Sequence, residues 1–225
     1  MIQAPSPNWD ERQAGVPIDT LILHYTGMTS GAAAIERLRD PESRVSSHYV
    51  VEEDGSVWQL VAEERRAFHA GISSWRGHEA LNGRSIGIEI VNPGHEWGYR
   101  AFPAAQMAAV CGLCQGILAR HPIPARNVVG HSDVAPDRKQ DPGELFDWPG
   151  LAENGVGLWP GSGAEPVPEA ALAPALRRIG YPIPDLATTL AAFQRHWRPA
   201  RVDGVADRQT RERVGDLLRA LDREG

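Results

Sequence analysis

Ser85-Ile86-Gly87-Ile88-Glu89-Ile90-Val91 is a strand by its own pattern. Strand side chains alternate with period two, so Ile86, Ile88 and Ile90 share one face and Gly87, Glu89 and Val91 share the other. The isoleucine face needs an apolar layer to cover it. The other face carries a carboxylate at its centre, which is unfavourable in an apolar setting unless it is paired or used. A solvated sheet edge or a structural ion pair would also explain Glu89. Gly87 leaves space beside it.

Working outward, Thr20 to His24 reads as a second core strand and Asn127 to Gly130 as another. Ser47 to Val51 and Ser56 to Leu60 flank Glu53-Asp54-Gly55, a hairpin signal. Helices fill the gaps. Ser30 to Arg39 has a Thr29/Ser30 cap, inward Ile35 and Leu38, and Pro41 as its stop. Ala104 to Arg120 repeats Met107, Val110, Cys111, Cys114, Ile117 and Leu118 on one stripe. Strands alternating with helices predict an α/β domain (α+β by some schemes) over residues 1–151: a mixed central β-sheet flanked by helices.

Residues 152–168 are rich in Gly and Pro and read as a linker. Residues 169–225 then carry three helical patterns. These are Glu169 to Ile179 with Gly180 at its end, Leu186 to Trp197, and Asp207 to Leu221 with Asp207 as cap. A unit of this size is marginal alone and is expected to dock on the larger one.

The chain has 225 residues, a net charge of −6 and 42% hydrophobic residues. An acidic balance without a basic stripe argues against nucleic-acid binding. No run reaches the roughly 20 apolar residues of a membrane span. Two cysteines, Cys111 and Cys114, exclude a disulfide scaffold. Both fall on a helix stripe and read as buried core thiols rather than a metal or redox pair. The polar N-terminus shows no secretory leader. A cytoplasmic protein is expected on that ground, or a periplasmic one had a leader been removed, and nothing in the pattern calls for more than a monomer.

His24 ends one strand, His131 follows another at Gly130, and Asp141 lies in Arg138-Lys139-Gln140-Asp141-Pro142. Two imidazoles and a carboxylate suit a catalytic Zn2+, which takes three protein ligands and leaves a fourth position for water. Lys139, two residues before Asp141, would point the same way in extended chain and could stabilise an oxyanion. Each feature has a plainer alternative. His24 could be a hydrogen-bonded core residue, and Asp137 to Asp141 a solvated charge run. His78, His95, His121 and His196 sit in polar or Pro-flanked contexts and are expected at the surface.

Taken together and in order, seven stretches resemble the AmpD/AmiD-type N-acetylmuramoyl-L-alanine amidases, a family related to phage T7 lysozyme and the peptidoglycan recognition proteins. They are Leu23-His24-Tyr25-Thr26, Ser47-His48-Tyr49, Asp54-Gly55, Phe68-His69-Ala70-Gly71, Ser85 to Glu89, Gly130-His131-Ser132-Asp133 and Arg138 to Gly143. The resemblance implies that His24, His131 and Asp141 are zinc ligands, Glu89 the catalytic acid/base and Lys139 the oxyanion stabiliser. It places His69, Trp75 and Asn82 in a substrate-facing segment. It implies peptidoglycan fragments (muropeptides, including 1,6-anhydro forms) or polymeric peptidoglycan as partners. Leu176 to Tyr181, Ala192 to Trp197 and Asp203 to Thr210 resemble a peptidoglycan-binding three-helix domain. Two rival readings are a non-catalytic muropeptide-binding protein and a zinc peptidase cutting within the stem peptide.

Overall fold

A computed structural model describes residues 1–224. Its strands are β1 (Ile2–Gln3), β2 (Trp9–Glu11), β3 (Thr20–Tyr25), β4 (Tyr49–Val51), β5 (Val57–Gln59), β6 (Arg65–Ala67), β7 (Ser74–Trp75), β8 (His78–Glu79), β9 (Ser85–Ile90) and β10 (Val128–Gly130). Its helices are α1 (Gly31–Arg39), α2 (Gly94–Trp97), α3 (Ala104–Arg120), α4 (His131–Val134), α5 (Trp148–Glu153), α6 (Leu172–Ile179), α7 (Leu186–Trp197) and α8 (Arg208–Glu224). Six strands form one mixed sheet in the order β1-β5-β4-β9-β3-β10. The pairs β10–β3, β3–β9 and β9–β4 are parallel, while β4–β5 is the antiparallel hairpin around Asp54-Gly55. Among the described residues no helix is long and apolar enough to cross a membrane.

Period-two alternation builds the layers. Leu21, Leu23, Ile86, Ile88 and Ile90 face α3, where Val110, Cys114 and Ile117 meet them. The same inward side of α3 carries buried Leu113 and Gln106. The Gln106 amide donates to the carbonyls of Val51 at 3.1 Å and Val91 at 2.8 Å, pinning the helix to the ends of β4 and β9. Cys111 is only half-buried, because it lies at the margin of this stripe; Cys114 alone is a core thiol.

The opposite face supplies Ile22 and Val129, which pack in one core with Leu172 and Leu176 of α6, Phe193 of α7 and Val214 of α8. The C-terminal helices therefore cover the sheet directly. Local signals place them. Asp185 caps α7 through the Thr188 amide at 2.9 Å, Asp207 caps α8 through the Thr210 amide at 2.8 Å, and Gly180 closes α6. A Cβ on Gly180 would lie 2.8 Å from the Trp75 ring, so that glycine also lets α6 approach the sheet side. The Gly/Pro-rich connector is not loose. Val156 is buried, the Trp159 ring stacks on Trp197 at 5.9 Å, and the Arg213 guanidinium lies over the Trp159 ring at 4.4 Å.

Candidate functional site

Parallel pairing brings three strand ends to one side of the molecule. In the β3–β9 register His24 lies opposite Glu89, and Gly130 of β10 lies opposite Leu23. His131 is the first residue beyond β10. His24, Glu89 and His131 thus gather at the carboxyl ends of neighbouring parallel strands, where open α/β sheets form their sites. Asp141 reaches them from the loop after α4. Its carbonyl accepts from the Ser132 amide at 2.9 Å, which ties that loop to the turn bearing His131. Gly130 permits the approach, since a Cβ there would lie 2.7 Å from Pro142 Cδ.

Three side chains, all buried, converge: His24 Nδ1 and His131 Nδ1 are 2.9 Å apart, and each is 3.1 Å from Asp141 Oδ2. Hydrogen bonding on the far side of each ring assigns the protons. His131 Nε2 lies 3.1 Å from the Ala70 carbonyl, an acceptor, so Nε2 carries the proton and Nδ1 a lone pair. For His24 two more residues, His69 and Ser85, fix the proton. The Ser85 hydroxyl donates its single proton to the Leu81 carbonyl at 2.7 Å, so His69 Nε2, 3.1 Å away, must donate to Ser85 Oγ. His69 Nδ1 is then an acceptor and takes the Nε2 proton of His24 at 3.0 Å. His24 Nδ1 is left with a lone pair as well.

Two imidazole lone pairs and a carboxylate oxygen facing one another without a proton between them repel unless a cation fills the space. The His24 pKa agrees: burial, and then the His131 ring, push it down to about 4, so the ring is neutral. A tetrahedral zinc with bonds of about 2.0–2.1 Å has ligand atoms roughly 3.3–3.5 Å apart, a slightly wider triangle of the same shape. The donor set, two neutral imidazoles and a carboxylate, fits that ion.

Glu89 and Lys139 line the same cleft, of about 950 Å³, with His69, His131 and Asp141. Glu89 Oε2 is buried and, among the described residues, has no hydrogen-bond partner. Burial and then the Asp141 charge push the Glu89 pKa well up, while Lys139 pulls it back. A carboxyl with one buried, unpartnered oxygen, in the same cleft as a lysine, is placed for proton transfer. It is not a solvated sheet edge.

The three remaining expected site residues fare differently. His69 reaches the cleft wall, but its nitrogens are spent on His24 and Ser85. The space expected beside Gly87 holds this ring, and a Cβ there would lie 2.4 Å from it. Asn82 does not line the cleft; its side-chain carbonyl oxygen accepts from the His69 and Ala70 amides at 3.1 and 2.7 Å and shapes the segment behind the His24, His131 and Asp141 trio. Trp75 is also away from the cleft, buried against Tyr181 with its indole donating to Asn127 at 3.2 Å. His196 is not at the surface. It is 2% exposed and bonded to Asp133, because an aromatic and acidic neighbourhood assembles around it from distant chain segments. Sequence reasoning passed over Ser85 as a mere strand start, and His95 and Trp97, which line the cleft from α2. His95 Nδ1 is 3.0 Å from Tyr25 Oη, and its Nε2 is 3.1 Å from Glu144.

Comparison with known proteins agrees with this geometry. Residues 14–144 match the family model described as N-acetylmuramoyl-L-alanine amidase. The chain is 39% identical to N-acetylmuramoyl-L-alanine amidase AmiD of Escherichia coli, over 92% of this chain and 85% of that protein. The structure of AmiD in complex with the substrate anhydro-N-acetylmuramic acid-L-Ala-D-gamma-Glu-L-Lys superposes with a TM-score of 0.82, covering 93% of this chain and 92% of that one. AMPDH3 of Pseudomonas aeruginosa, in complex with an anhydromuramic pentapeptide, gives a TM-score of 0.85 at 32% identity, covering 94% and 96%. The 1,6-anhydro-N-acetylmuramyl-L-alanine amidase AmpD of Salmonella typhimurium is 33% identical over 65% of this chain and 86% of its own.

Proposed function

We propose, since this chain belongs to the N-acetylmuramoyl-L-alanine amidase family and is an enzyme of that class, that it uses zinc to hydrolyse the amide joining the lactyl group of N-acetylmuramic acid to the L-alanine of the stem peptide. The carrying observation is the trio of facing donors, His24, His131 and Asp141, with the unpartnered Glu89 carboxyl on the adjoining strand. Zinc held there would lower the pKa of a coordinated water to about 7. The chain's own residues do the rest. Glu89 takes the proton of the attacking water and returns it to the departing alanine nitrogen. Lys139 faces the charge that develops on the amide oxygen. His69 and the Ala70 carbonyl hold the two imidazoles in the tautomer that keeps Nδ1 open.

The cleft is large enough for a sugar and several peptide residues, and the relatives' complexes with anhydro-muropeptides favour that substrate form here. In the same proposal residues 1–151 carry the chemistry, 152–168 connect, and 169–225 form the helical unit. The test is to strip the protein with a chelator, restore zinc, and read by mass the products from a 1,6-anhydro-muropeptide and from polymeric peptidoglycan. Zinc-dependent release of a stem peptide with a free L-alanine amine, together with the intact sugar acid, is expected. Cleavage between stem residues would instead identify a peptidase.

A further inference from the structure

Asp133 lies two residues past His131 and is wholly buried. Three donors surround its carboxylate. Oδ2 accepts from the Gly130 amide at 2.7 Å, which closes the tight turn between β10 and α4. The other two donors come from the C-terminal helical region: His196 Nδ1 at 2.7 Å on Oδ2, and the Tyr181 hydroxyl at 2.5 Å on Oδ1. Neither partner is free to swing. Tyr181 Oη also accepts from Trp197 Nε1 at 3.0 Å, and the His196 ring is stacked at 3.8 Å on both Trp148 and Trp197.

We infer that the C-terminal helices hold the His131 arm of the metal site through Asp133, with Tyr181 and His196 as positioning residues. The chain of contacts is short. Tyr181 and His196 fix the carboxylate, the carboxylate fixes the Gly130 amide and the turn, and the turn sets where the His131 ring begins. From there Nε2 meets the Ala70 carbonyl and Nδ1 faces His24 and Asp141. Without the two donors a buried carboxylate keeps one hydrogen bond and must shift or draw in water, moving the turn with it. Metal affinity responds to displacements that leave a fold intact. This inference rests on the proposed zinc site.

Zinc affinity measured by chelator competition tests it, with the thermal stability of each metal-free protein recorded alongside. Tyr181→Phe and His196→Ala are expected to weaken zinc binding about tenfold, the lower end for residues that orient a ligand. His196→Asn, which keeps an N–H donor near the Nδ1 position, is expected to restore most of the loss. Ile117→Val, in the core on the opposite face of the sheet, supplies a modest destabilisation away from Asp133 and is expected to leave affinity unchanged. Wild-type affinity in Tyr181→Phe and His196→Ala would overturn the inference. So would an asparagine no better than the alanine, or an equal loss in Ile117→Val. A wild-type protein that binds no zinc would overturn the proposed metal site itself, a separate and recognisable failure.

Discussion

An imidazole presents a lone pair to a cation only when its proton is held on the other nitrogen, and at His24 that condition is met by a run of hydrogen bonds ending at Ser85 and the Leu81 carbonyl. Glu89 stands outside this scaffold. In the proposed mechanism its work is proton transfer, so Glu89→Gln is expected to keep zinc binding while losing at least about 100-fold in turnover. Near-normal turnover with zinc bound would remove Glu89 from the mechanism. His48 illustrates a purely structural imidazole. Its Nδ1 accepts from the Gly87 amide at 3.0 Å, and burial, with Arg12 adding to it, pushes its pKa down to about 3. An unfolded histidine titrates near 6.5, so between these values the unfolded chain binds the extra proton. Stability must therefore fall as pH drops through this window, by about 1.4 kcal/mol per pH unit from this residue. Urea denaturation of the metal-free protein at pH 7, 6 and 5 should show a slope shallower by about one proton in His48→Asn. Identical slopes would mean that His48 is charged in the fold.

At the scale of elements, β9 does two jobs through its alternation. Ile86, Ile88 and Ile90 anchor it to α3, while Gly87 and Glu89 serve the cleft side. Gly87→Ala would drive a methyl into the His69 ring. It is expected to cost about 1–3 kcal/mol in urea denaturation and to weaken zinc binding, because the His24 Nε2 partner is displaced. A stable variant with unchanged zinc affinity would contradict the orienting role of His69. Strand period, hairpin chemistry and caps made this architecture readable in advance: β9, α1 with Ser30, α3 over Ala104–Arg120 and the Asp54-Gly55 turn are all local signals. His24 and His131 were readable as candidates because each ends or follows a strand, and Asp141 because of the charged stretch around it. Partners brought together by tertiary packing were not. Asp133 meets Tyr181 and His196 across more than forty residues, and nothing in Gln194-Arg195-His196-Trp197 announces a buried ring. Trp75 and Asn82 turn away from the cleft, because which side chains of a loop face a cleft is settled by backbone turns that alternation does not describe.

Across the whole molecule, the sheet face bearing Ile22 and Val129 packs in one core with Ala70, Trp75, Leu81 and Val134 and with the C-terminal helices, so that core joins the two ends of the chain. Phe193→Ala, far in sequence from His24, His131 and Asp141, should lower the stability of the entire protein by about 3–5 kcal/mol and leave a single unfolding transition. Two separate transitions would mean that the helices fold as an independent unit. The same long-range closure assembles the site, since His24, His131 and Asp141 meet only when β3, β10 and the following loop are in register. Zinc content by elemental analysis, compared among wild type, His24→Ala and Glu89→Gln purified alike, tests that assembly most directly. About one zinc per chain is predicted in the wild type and in Glu89→Gln, and almost none in His24→Ala. Full occupancy in His24→Ala, or none in the wild type, would contradict it.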